Sequence, residues 1–111
     1  MSDCIFCKIL DGDIPSNRVY EDEHCIAFND VQPAAPVHLL VIPRKHISSL
    51  DALTPQDQEL MGHIMTRIPE IARNQGLDQG YRTVVNTGEQ GGQTVFHIHF
   101  HILGGRQMTG L

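Results

Sequence analysis

The sequence lacks a surplus of positive charge. Lys and Arg together number 8 against 13 Asp and Glu, the formal net charge is −5, and no stretch carries a run of basic residues. The electrostatic footprint that holds a nucleic acid backbone is therefore missing, and no polymeric nucleic acid partner is expected. Long apolar runs are missing too. No segment approaches the roughly 18 residues of a membrane span, so no membrane partner is expected. The opening MSDCIFCKILDGD has acids and cysteines where a signal peptide has a basic end and an apolar stretch, which makes the cytoplasm the expected location. Cysteine is scarce and odd in number, three in all, with two spaced as Cys4-x-x-Cys7. That does not fit the paired framework of a small secreted domain, and it leaves reduced thiols or a metal site. There is no internal repeat, low-complexity tract or Gly/Ser linker to divide the chain. With 111 residues, 41% of them hydrophobic, residues 1–111 are expected to form one domain around one core.

What is present is a series of short elements with clear punctuation. CIFCKIL, residues 4–10, reads as a short helical turn, because Ile5, Phe6 and Ile9 fall on one side and Cys4 and Cys7 lie one turn apart. RVYED, CIAFND and HLLVIP are β-branched or aromatic-rich runs bounded by Asp, Asn and Pro, which predicts strands near 18–21, 25–29 and 38–42, with Pro33, Pro36 and Pro43 keeping the joins extended. Thr54-Pro55-Gln56-Asp57 supplies an N-cap, a proline in the first turn and an acid at the positive end of the dipole. The main helix that starts there carries a stripe of Leu60, Met61, Ile64, Met65, Ile68, Ile71 and Ala72 and ends near Gly76, with a kink expected at Pro69. Strands over 81–85 and 95–103 follow, joined by a loop, Asn86-Thr-Gly-Glu-Gln-Gly-Gly, whose glycines allow close approach of backbone to a ligand. The order of elements predicts an α+β fold with an antiparallel sheet.

Three of seven histidines sit at alternate positions in TVFHIHFHIL, residues 94–103. On a strand, a period of two sends His97, His99 and His101 to one face and Phe96, Ile98, Phe100 and Ile102 to the other. Two chemical readings are open for such a row. One is a metal site made of strand histidines. The other is attack on phosphorus by an unprotonated imidazole, whose ordinary pKa of about 6.5 leaves it available near neutral pH.

The alternating histidines resemble the motif of the histidine-triad superfamily, and the chain is similar to its histidine-triad nucleotide-binding protein branch. The likeness extends from CIFCKI through FND, HLLVIPRKHI and GYRTVVNTG to GGQTVFHIHFHILGGRQM. It implies an α+β fold whose sheet continues across a homodimer, purine nucleotide ligands, and hydrolysis of nucleoside monophosphate derivatives, phosphoramidates above all. Other branches cleave dinucleoside polyphosphates, and the opposing class is a nucleotide-binding scaffold with incidental turnover. By resemblance His99 is the nucleophile, His101 contacts the phosphate oxygens, and His97 and His38 complete a hydrogen-bonded set. Thr94 relays a proton to the leaving group. Asn86 binds near phosphate and ribose, Gly92 and Thr94 offer backbone N–H groups, and Asp30 holds the ribose hydroxyls. Ile5, Phe6, Ile9, Phe28 and Val31 form the slot for the purine. The chain departs from many relatives after Met108, reading Thr109-Gly110-Leu111 in place of a short tail with Trp and Pro.

Cys4-x-x-Cys7 by itself fits zinc or a redox pair. The resemblance implies a structural Zn²⁺ held by Cys4, Cys7, His46 and His97, and no catalytic metal. Cys25 is expected to be a buried structural cysteine, and His24 and His63 surface residues.

Overall fold

The computed structural model describes residues 3–111. Cys4 caps the first helix, α1 (Ile5–Leu10), its sulfur accepting the Cys7 N–H at 3.3 Å, where Ser or Asp more often serves. Strands β1 (Arg18–Glu21), β2 (Cys25–Asn29) and β3 (Val37–Pro43) form an antiparallel meander. Thr54 then opens the main helix through a short 3₁₀ turn, Pro55–Asp57, closed by a reciprocal capping box between Thr54 and Asp57. Helix α2 (Gln58–Asn74) runs through Pro69 without a break. It stops where Gly76 takes a left-handed φ of 78°, which lets the Leu77 N–H reach back to the Ala72 carbonyl at 3.0 Å. Strands β4 (Tyr81–Val84) and β5 (Phe100–Gly104) complete a five-stranded antiparallel sheet of order β1-β2-β3-β5-β4. The fold is α+β, as the order of elements predicts. No helix among the described residues is long and apolar enough to cross a membrane.

The period of two distributes the core over both faces of this sheet. Cys25 and Ala27 on β2, Leu39 and Val41 on β3, and Phe100 and Ile102 on β5 pack with Ile64, Ile68, Ile71 and Ala72 of α2. The alternate residues Ile26, Phe28, Leu40 and Ile42 pack with Phe6 and Ile9 of α1. Met65, part of the apolar stripe of α2, is 43% exposed.

The last strand is shorter than its alternation predicts. Only Phe100–Gly104 pairs in the sheet, and residues 95–99 lie outside any strand. The cause is the neighbour. β3 ends at Pro43, which has no N–H to continue a ladder. Beyond it the chain peels away, and the 95–99 segment follows it through the Ile98 N–H, which donates to the Ile47 carbonyl at 2.7 Å. Phe96 consequently leaves the core face and is 50% exposed, whereas Ile98 keeps its expected place inside.

His63 is not an idle surface residue. Its Nε2 lies 2.7 Å from Asp22 Oδ2, and the exposed His24 packs its ring edge-on at 4.9 Å. Asp22 Oδ2 also accepts from the Tyr20 hydroxyl at 2.7 Å, and Oδ1 accepts from the His24 and Cys25 amides at 2.7 and 2.9 Å. This carboxylate therefore ties the β1–β2 turn to α2. Burial works against its ionisation, but the hydrogen bonds from Tyr20, His63 and the two amides outweigh that and hold the group well below the usual carboxylate range. Beside it, burial pushes the Cys25 thiol up to about 12, in keeping with a structural cysteine. A carboxyl depressed in the folded state stabilises the fold above its unfolded pKa of about 3.9, and that contribution is lost as pH falls towards its folded value. Asp22→Asn should therefore melt at a lower temperature than wild type at pH 7, and the gap should narrow below about pH 4. Thermal melts across pH 2–7 check this; a gap independent of pH contradicts it.

Candidate active site

The α1 face of the sheet carries the chemistry because β3 and β5 are paired in one register. Leu40 faces His101 and His38 faces Leu103, so His38 and His101 are diagonal neighbours on the same face. His101 Nδ1 lies 2.9 Å from His38 Nε2. On its other side His38 Nδ1 accepts the Ala34 backbone N–H at 2.9 Å. That contact assigns the protons: Nδ1 of His38 is the bare nitrogen, so its Nε2–H donates to His101 Nδ1, and His101 carries its own proton on Nε2. Asp30 Oδ2, 3.5 Å from His38 Nε2, favours the same arrangement. Burial, with smaller contributions from His99 and His38, pushes His101 down to about 4, so the ring donates as a neutral imidazole at pH 7.

His99 is fixed differently. Its Nδ1–H donates to the His97 carbonyl at 2.8 Å, which leaves Nε2 with a free lone pair. The ring is buried, meets Phe6 edge-on at 5.1 Å and lies 5.0 Å from the ring of His101. A ring with a bare nitrogen thus neighbours a ring with an N–H, 5.0 Å away centre to centre, an arrangement suited to attack on a polar centre whose oxygen the neighbour binds.

His97 faces another partner set. Its Nε2–H donates to the Pro43 carbonyl at 2.9 Å, so Nδ1 is bare and is turned towards Cys4, Cys7 and His46. Cys4 Sγ stands 3.3 Å and Cys7 Sγ 3.6 Å from that nitrogen, His46 Nδ1 stands 3.2 Å from it, and Cys7 Sγ lies 3.4 Å from His46 Nδ1. A tetrahedral zinc with bonds of about 2.3 Å to sulfur and about 2.05 Å to nitrogen requires S···N edges of about 3.5 Å and N···N edges of about 3.3 Å. The cluster has those spacings and could hold a metal ion. Two other groupings do not match. Asp22 and His63 at 2.7 Å, and His38 and His101 at 2.9 Å, are spaced as hydrogen-bonded pairs.

The remaining residues expected in the site fall into three groups. Asp30 accepts the Gln32 N–H on Oδ1 at 2.8 Å, forming a turn, and keeps Oδ2 beside His38. Phe6, Ile9 and Phe28 are buried in the α1 cluster, whereas Ile5 is 45% and Val31 94% exposed. Thr94, expected to relay a proton, lies exposed just before the irregular segment. Asn86 donates from Nδ2 to the Gly91 carbonyl at 2.7 Å and so closes the glycine loop. The Gly92 amide, expected to face an anion, instead donates to the Glu89 carbonyl at 3.0 Å, because a φ of 86° folds the loop back on itself. Thr94 N–H has no acceptor among the described residues. The sequence reading missed Gln93, buried in this loop, and the acceptor role of Pro43, since neither departs from ordinary local patterning. A cavity of about 420 Å³ opens between Thr94, Val95 and Phe96 on one side and Ile5 and His46 on the other. A larger one of about 690 Å³, between residues 76–82 and 105–108, contains no histidine.

The family profile described as scavenger mRNA decapping enzyme C-terminal binding matches residues 3–111. An uncharacterised HIT-like protein of Synechococcus elongatus is 53% identical over 107 residues, 96% of this chain and 94% of that one. The protein HitA of Neisseria gonorrhoeae is 51% identical over 94% of this chain and 97% of its own. Among solved structures, a HIT family hydrolase from Legionella pneumophila superposes with a TM-score of 0.94 at 49% identity, covering 96% of each chain. A histidine triad protein from Clostridium difficile gives 0.95 at 46% identity, covering 100% of this chain and 97% of that one. With its three alternating histidines in the places described, the chain belongs to the histidine-triad, or HIT, family.

Proposed function

We propose that the protein hydrolyses purine nucleoside monophosphate derivatives, nucleoside phosphoramidates in particular, through a nucleotidyl-His99 intermediate, as a member of the nucleotide-binding branch of its family. One observation carries the reading: the proton assignment that leaves His99 Nε2 bare and places an N–H on His101 Nε2 beside it. His99 Nε2 forms a bond to phosphorus while the P–N bond to the leaving amine breaks, and the Thr94 hydroxyl relays to the amine a proton taken up from solvent. His101 Nε2–H holds a phosphate oxygen, and its Nδ1 partner His38 keeps that proton in place. Water then cleaves the P–N bond to His99, returning the imidazole and releasing the nucleoside monophosphate. Asp30, Asn86, Phe6, Ile9, Phe28, Ile5 and Val31 bind the ribose, phosphate and base. The related Legionella protein is described as a hydrolase, which supports this class of activity.

The name of the matched family profile, a decapping enzyme, favours a second reading, cleavage of a dinucleoside polyphosphate by the same His99 chemistry with the other nucleoside's phosphate chain as leaving group. A panel of adenosine and guanosine phosphoramidates and dinucleoside polyphosphates separates the two. We also propose that Cys4, Cys7, His46 and His97 hold a structural Zn²⁺, a filled shell with no position open to substrate. Only His97 of the triad belongs to that set, which supports an ion that clamps the fold and leaves the reaction to His99. A homodimer joining two sheets would cover an open sheet edge: β4 is the last strand of the sheet, with Tyr81 37% exposed.

His99→Ala should abolish turnover while nucleotide binding stays within about tenfold, or about 1.4 kcal/mol; steady-state kinetics with calorimetry check this, and substantial hydrolysis by the variant removes the nucleophile assignment. Cys4→Ser should lose bound zinc and melt at least about 5 °C lower, about 1 kcal/mol for a chain of this size. Elemental analysis of protein purified without chelator reads the metal: near one zinc per chain is expected, and metal-free wild type of unchanged stability refutes the clamp. Light scattering at micromolar concentration should give twice the mass of the chain; a monomer contradicts the dimer.

A further inference from the structure

Gln93 is a polar residue in an apolar place, 4% exposed between the glycine loop and the histidine segment. Every hydrogen-bonding direction it uses ties a different part of the site. Its Oε1 accepts the Gly88 N–H at 2.9 Å. Its Nε2 donates to the Ser48 carbonyl at 2.7 Å and to the Val95 carbonyl at 3.0 Å. Its own backbone N–H returns to the Gly88 carbonyl at 3.0 Å. The loop from Gly88 to Val95 is thus wound around one side chain and fastened to the segment two residues after His46.

The consequence shows in the amides. Those of Gly91, Gly92 and Gln93 turn inward to the carbonyls of Gly88, Glu89 and Gly88. The next two, on Thr94 and Val95, have no acceptor among the described residues, and Thr94 is exposed at the edge of the 420 Å³ cavity. An exposed N–H left without an acceptor beside amides that are turned inward is a ready donor for an anion. Only a neutral side-chain amide offers one acceptor and two donors from a single flat group; Glu has no donor when ionised, and Asn is one methylene too short to reach the same partners.

We infer that Gln93 is a positioning residue, whose carboxamide winds the Gly88–Val95 loop so that the Thr94 backbone N–H is presented to the phosphate of the bound nucleotide. The inference rests on the proposed nucleotide chemistry and adds the device that prepares the phosphate subsite before ligand arrives. It also explains why the Gly92 amide is unavailable: the same winding that exposes Thr94 turns Gly92 inward.

The test compares AMP with adenosine, which lacks the phosphate, by calorimetry on wild type, Gln93→Ala and Gln93→Glu. Wild type should bind AMP more tightly than adenosine. Both variants should lose at least tenfold for AMP and hold adenosine within about twofold, whereas a merely structural role would weaken both ligands together. Gln93→Glu preserves shape and the acceptor for Gly88, so it carries the result if Gln93→Ala does not fold. Independently of either variant, the Thr94 amide resonance of wild type should shift with AMP and not with adenosine. Variants with the wild-type preference for AMP, or a Thr94 resonance indifferent to AMP, overturn the inference and leave the nucleotide reading standing. A folded wild type that binds neither ligand overturns both.

Discussion

The site depends on a single buried imidazole, that of His97. Its ring is fully excluded from solvent, with the ring of Phe6 6.0 Å away centre to centre. Burial lowers its pKa, with the neighbouring His46 and His99 adding to the effect against the Pro43 hydrogen bond, so the ring stays neutral and has one donor and one acceptor nitrogen. Pro43 takes the donor and the Cys4–Cys7–His46 group faces the acceptor. The same residue's carbonyl holds the proton of His99. Position 97 therefore connects the end of β3, the start of α1 and His99 through three separate atoms of one residue.

That connection accounts for the break in the last strand. Were residues 95–99 paired in the sheet, the carbonyl of His97 would belong to a ladder and could be unavailable to a side chain two residues on. Because β3 stops at Pro43, the segment is free of the ladder and its backbone groups serve the site: Ile98 N–H ties it to Ile47, Val95 carbonyl is held by Gln93, and His97 carbonyl by His99. Irregular backbone here is supported by hydrogen bonds from the buried side chains of Gln93 and His99, which keeps the geometry firm without regular structure.

The two sides of the sheet divide the work. The α2 face is a packed aliphatic layer, and Asp22 fastens the first hairpin to that helix. The α1 face takes a smaller apolar cluster and the histidines, with Phe6 belonging to both: it packs on Phe28 at 5.7 Å and on His99 at 5.1 Å. A short helix of six residues gains little stability by itself. Its contacts with the sheet, and the Cys4 and Cys7 thiols at its start, hold it against the histidine segment.

The sequence by itself determined the elements and the chemical class of the site. Local signals are strong for the Thr54–Asp57 cap, the α2 stripe and the left-handed stop at Gly76, because each depends on side chains within a few residues. The alternation of histidines against Ile98, Phe100 and Ile102 also survived into the structure, since it reflects which side chains can enter an apolar layer. Only the tertiary structure decided how the histidines divide. A period of two says that His97, His99 and His101 share a face, but not that the first turns to two thiols, the second to a carbonyl and the third to His38. The thiols and His38 come from segments tens of residues away, while the carbonyl lies two residues back, and a proton's place on an imidazole ring is set by whichever partner arrives within hydrogen-bonding distance. The same holds for Gly92 and Phe96. The resemblance implied an anion donor at Gly92 and the alternation a core residue at Phe96, and the fold of the loop and the end of β3 at Pro43 turned one inward and the other out.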